Sequence, residues 1–104
     1  MAVNENVYRR KISDAEAQGQ YIMVLKSDLD FFPKIGKEFN LVIKGTEEKS
    51  FETTIAAVPC WCMGPNKPHQ HYRIDAKPFR DVFLIHFNRR ITITRESESR
   101  FVLE

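Results

Sequence analysis

The chain has 104 residues, a formal charge of +2, 42% hydrophobic residues and 29% charged residues. That length supports one modest core over residues 1–104 and excludes two domains; the composition excludes the disordered class. So small a net charge steers little, and any affinity for a polyanion must come from local clustering.

No apolar run approaches the ~20 residues that a membrane-spanning helix needs. Arg9, Arg10 and Lys11 are followed by no apolar stretch, so no secretory leader is expected. Cys60 and Cys62, one residue apart, make a poor structural disulfide, and reduced thiols in a cytoplasmic setting are the simplest expectation. Eight Phe and three Tyr against four Gly favour strands.

In chain order, residues 7–12 alternate and predict an edge strand whose bases blunt unwanted pairing. Ser13 through Gly19 begins with a capping residue and ends in Gly, which predicts one or two helical turns. Residues 21–25 form an apolar run consistent with a buried strand. Phe31-Phe32-Pro33 stops regular pairing, since Pro lacks a ladder donor. Residues 39–43 alternate, 44–49 turn, and 51–58 return as one strand with Phe51, Thr53, Ile55 and Ala57 on one face. Pro59, Pro65 and Pro68 break the next stretch into loops. Residues 70–74 and 82–87 predict further strands, the second turning through Asn88-Arg89-Arg90 onto a partner at 91–94. Residues 101–103 close the sheet, although Leu103-Glu104 at the end is given no structural weight. These short strands with one short helix predict an all-β, seven-stranded antiparallel pseudobarrel.

Chemistry-bearing motifs are sparse. Cys60, Cys62, His69 and His71 offer two thiolates and two imidazoles, a set that can hold tetrahedral zinc. One intervening residue is nevertheless too few for the usual thiolate knuckle, and buried thiols packing as small hydrophobes are the stronger expectation. Asp75-Ala76-Lys77 matches half of a metal-dependent nuclease motif, with Asp28 or Asp30 available as a second carboxylate. An ordinary loop interaction is the stronger expectation there. No nucleophile elbow, phosphate loop or dinucleotide fingerprint is present. The chain is therefore expected to be non-catalytic and to need no cofactor.

The basic segments carry more. No acidic residue occurs between Glu52 and Asp75. Lys34 and Lys37 flank Gly36 between two predicted strands, and Asn66, Lys67, His69, Gln70, His71 and Arg73 crowd a later loop and strand entrance. Lys and Arg neutralise phosphates, while Asn, Gln and Arg can fork onto base edges in the major groove. These eight residues are the candidate DNA contacts. Arg89 and Arg90 sit at a predicted hairpin tip, where charge commonly serves only solubility.

The run from Tyr21-Ile22 to Asp30-Phe31-Phe32-Pro33, then Gly36, Phe39, Ile43, Lys49-Ser50-Phe51-Glu52 and Tyr72-Arg73-Ile74, resembles a known DNA-recognition domain. That domain is attached to phospholipase-D-type restriction endonucleases and is related in fold to the B-three domain of plant transcription factors. The resemblance covers residues 20–95. It implies a seven-stranded pseudobarrel gripping double-stranded DNA with two arms in the major groove, as the specificity module of a restriction-type nuclease. One arm would hold Lys34 and Lys37, with Lys26 and Ser27 nearby; the other would run from Asn66 to Arg73. The family shows two or three consecutive Arg where His71, Tyr72 and Arg73 stand, and its nuclease domain has no counterpart in this chain. The competing expectations are the zinc-stapled domain and a protein-interaction barrel seating a partner on Trp61 and Tyr72.

Overall fold

The computed structural model describes residues 6–45, 48–60 and 69–104, without the side chains of Cys60 and His69. Eight strands and one α-helix are present among them: β1 (Val7–Lys11), α1 (Asp14–Gly19), β2 (Tyr21–Val24), β3 (Phe39–Ile43), β4 (Lys49–Thr53), β5 (Ala56–Cys60), β6 (His69–Asp75), β7 (Arg90–Arg95) and β8 (Arg100–Leu103). Two 3-10 helices, Lys26–Phe31 and Lys77–Phe79, complete the regular elements. The strands form two sheets, one ordered β1-β7-β8-β3-β4 and one ordered β2-β6-β5.

The protein is thus mostly β with little helix, as the composition suggests, but it has eight strands rather than seven. They are also not all antiparallel. β8 returns alongside β3 in parallel, Leu41 opposite Phe101 and Val42 opposite Val102. Leu103, discounted in the sequence, is fully buried in that pair.

Two further expectations change. Residues 51–58 are not one strand: β4 ends at Thr53 in the five-stranded sheet, and β5 begins at Ala56 in the other. The predicted inward parity survives the transfer, with Ile55 buried at the junction. Residues 82–87 are not a strand. Phe79 and Phe83 are both buried, four residues apart, and the amides of Val82 and Phe83 both donate to the Phe79 carbonyl. That is helical spacing, which a period-two pattern imitates over so short a run. β7 accordingly pairs with β1 and β8.

Aromatic rings hold the centre. Phe101 lies 5.0 Å from Phe39 and 5.4 Å from Phe32, and Phe31 meets Phe32 edge-on at 4.9 Å. The 3-10 helix before Pro33 delivers Phe31 and Phe32 to this core. Ile22, Val24 and Ile74 from the small sheet join Tyr8, Ile91, Ile93 and Phe101 from the large one in the same cluster.

Where β1 and β2 approach, side chains replace the ladder. The Tyr8 hydroxyl donates to the Met23 carbonyl at 3.1 Å, and the Met23 amide donates to Glu16 Oε2 at 2.7 Å. Both polar groups of an otherwise open strand edge are thereby satisfied. Glu16 is fully buried in α1, and its Oε1 accepts from Arg10, the Ser13 amide and the Ser13 hydroxyl. Ser13 returns its own oxygen to the Glu16 amide, completing a capping box. One carboxylate therefore starts the helix, neutralises an inward cation and closes the seam between the sheets. Burial pushes the Tyr8 phenol above its usual range, opposed by hydrogen bonding and charge from Arg10.

Candidate nucleic-acid interface

Lys34 and Lys37 occupy the exposed segment between Pro33 and β3. The Lys37 amide closes a turn onto the Lys34 carbonyl at 2.9 Å, and Gly36 takes φ +82°, a left-handed value natural to glycine. The Gly36 amide then donates to the Ile55 carbonyl at 3.0 Å. Ile55 immediately precedes β5, and Ala56 faces Arg73 across the β5–β6 ladder. One hydrogen bond and one strand pairing thus connect the backbone of the lysine segment to that of Arg73.

Side chains diverge from this shared base. Lys34 and Lys37 line an open groove of about 720 Å³ that also takes in Asn6, Phe31 and the start of the β7–β8 turn. Arg95 joins them, donating to the Phe31 carbonyl at 3.3 Å with its guanidinium 5.3 Å from the Phe31 ring. Asp30, Glu96 and Glu98 line the same groove. Three cations meet three acids there, so the groove as a whole is close to neutral.

Arg73 lies on the outward face of the small sheet. Its guanidinium stands 4.7 Å from the centre of the Tyr21 ring, in a hollow of about 190 Å³ shared with Val58, Asp75 and Lys77. Stacking on an aromatic face restrains the long side chain.

Alternation divides the later candidates. Gln70 shares parity with Tyr72 and Ile74, of which Ile74 is buried and Tyr72 packs on the core; the Tyr72 hydroxyl reaches Gln70 Oε1 at 3.5 Å. His71 and Arg73 have the opposite parity and face away from the core. The run from His69 to Arg73 therefore does not present one surface. Asn66 and Lys67, with Trp61 and Cys62, lie outside the described residues, as do the side chains of Cys60 and His69.

The register sets Cys60 directly opposite His69 and Val58 opposite His71. Among the described residues no group of three or more acidic, His or Cys side chains is arranged to hold a metal ion. In Asp75-Ala76-Lys77 the carboxylate accepts the Lys77 amide at 3.0 Å, a local turn that starts the second 3-10 helix. No helix among the described residues is long and apolar enough to cross a membrane.

Sequence reading missed Tyr21 as the platform for Arg73 and Arg95 as the third cation of the groove. Tyr21 carries a usable signal, since it alternates with Ile22 and Val24, which are buried, and so has outward parity. Arg95 has none, because only tertiary folding brings it beside Phe31. No family model matches the chain, and no curated protein or solved structure is similar to it.

Proposed function

We propose that this protein binds double-stranded DNA in a sequence-specific manner, using the Lys34–Lys37 segment and the β5–β6 pair as two arms entering the major groove. In this reading the two sheets are the halves of an open pseudobarrel. The chain is a non-catalytic specificity module in the cytoplasm, working with a fused or associated restriction-type nuclease. The observation that carries the proposal is the bond from the Gly36 amide to the Ile55 carbonyl, which roots both arms in adjacent backbone. Arg73 on its Tyr21 platform is the best-restrained reader of a base edge; Lys34 and Lys37 supply phosphate contacts, and Asn66, Lys67, His69, Gln70 and His71 extend the second arm.

Anisotropy titration of labelled duplexes across a salt series tests this. Log affinity should fall with log salt by about 0.9 per phosphate contact. Arg73→Ala should cost about 1–3 kcal/mol on a preferred sequence if the guanidinium forks onto guanine, and weaken all sequences alike if it meets phosphate. Duplex affinity that does not respond to salt would remove the proposal.

A second reading, a zinc-stapled β domain, draws on the register that sets Cys60 opposite His69, with Cys62 and His71 close in sequence. Structural zinc should copurify at one equivalent per chain, and chelation should unfold the protein. Metal-free protein with an unchanged melting transition dismisses it.

A further inference from the structure

A separate group of cations lies on the five-stranded sheet. Arg9 and Lys11 project from β1 on the face opposite to buried Tyr8, and Arg90 projects from β7 on the same side. Lys11 and Arg90 are directly opposite in the antiparallel register, and Arg9 is opposite Thr92. Among the described residues none of the three cations has an ion pair. Glu104 shares the row of Arg9, its backbone exchanging hydrogen bonds of 2.9 and 3.0 Å with the intervening Thr92, without forming an ion pair to any of the three.

Like charges directly opposite on a sheet are destabilising. Edge protection explains cations on β1, which is an outer strand. It does not explain why a cation should face Lys11, since any polar residue would serve on the part of β7 that runs past its pairing with β8 at Ile93–Arg95. An unneutralised pair at such a position is what an anionic ligand would relieve. Thr92 and Thr94 share the face, and threonine hydroxyls are common donors to phosphate oxygens.

We propose that the outward face of β1 and β7, through Arg9, Lys11 and Arg90, binds the phosphodiester backbone of nucleic acid without reading bases. This rests on the duplex-binding reading above and adds a surface that reading does not contain, on the other sheet from Arg73. An anionic membrane would offer phosphate too, and exposed Leu84 and Phe87 lie in the segment joined to Ile12 through Asn88 and Arg89. Nucleic acid is favoured because the three cations stand on strands with hydroxyls between them and no large exposed apolar side chain on their face.

The test compares wild type with R9Q/K11Q/R90Q and with K44Q/K49Q/R80Q, which removes the same charge from other exposed positions. Each is titrated with a 20-base-pair duplex across salt and with phosphatidylserine vesicles. The expected result is a salt slope smaller by about 2–3 in the first variant only, with sequence preference retained and vesicle binding absent throughout. A slope unchanged in the first variant, an equal loss in the control, or vesicle binding that depends on the three cations overturns the inference while leaving duplex binding intact. Wild type that binds no duplex overturns both.

Discussion

Arg9, Arg10 and Lys11 are consecutive cations with opposite fates. Arg10 turns inward to a carboxylate that is fully buried, bonded four ways, and shared with the start of a helix and the edge of a strand. Arg9 and Lys11 turn outward, one of them facing a third cation across the ladder. Strand parity alone separates the two groups. A basic run in a sequence is therefore not one electrostatic object; a charge that holds the fold and a charge free to meet a ligand can be covalent neighbours.

The contrast can be broken most forcefully from the inside. Glu16→Ala leaves Arg10 inward-facing without its carboxylate, and also strips the Met23 amide and the helix cap. Urea unfolding should show a loss of about 3–5 kcal/mol; a loss below 1 kcal/mol would mean that Arg10 escapes to solvent at little cost. Gly36→Ala is next in size. Its new Cβ would meet open space, so the expected penalty of about 1–2 kcal/mol comes from the left-handed backbone alone. Duplex affinity should fall with it if the Lys34–Lys37 segment must keep its place against Ile55.

Gly19→Ala probes the Arg73 platform. A Cβ there would come within 2.6 Å of Tyr21 Cδ2, forcing the ring aside. The lost stacking should be worth about 0.5–1 kcal/mol, and the Arg73 side-chain NMR resonances should move. Unmoved resonances would show that the ring does not restrain the guanidinium. Smallest of all, R9Q/K11Q should change stability by no more than about 0.5 kcal/mol. A large loss in that variant would abolish the distinction between inward and outward charge.

Much of the fold was legible because its signals are local. The alternation in β1, β3 and β7 and the capped start at Ser13 depend on residues a few positions apart, and these elements fall where expected to within a residue or two. The misreadings share one cause. Whether Ile55 continues a strand or carries the chain to a second sheet depends on where β6 lies, and the Phe79–Phe83 turn owes its helical form to a core on one side only. The parallel return of β8 beside β3 likewise has no trace in either segment. The candidate site divides in the same way: residue types could be listed from the sequence, but Arg73 needs Tyr21, and Lys34 shares its groove with Arg95, 61 positions later. Gln70 and His71 are adjacent in sequence, yet their parity sends them to different faces.

Because the Met23 amide is held by a carboxylate rather than by a neighbouring strand, its proton is a private reporter on the joint between β1 and β2. Its exchange with deuterium should accelerate in Glu16→Ala relative to that of amides inside the β5–β6 ladder. Any loosening of that seam can thus be read at one nitrogen.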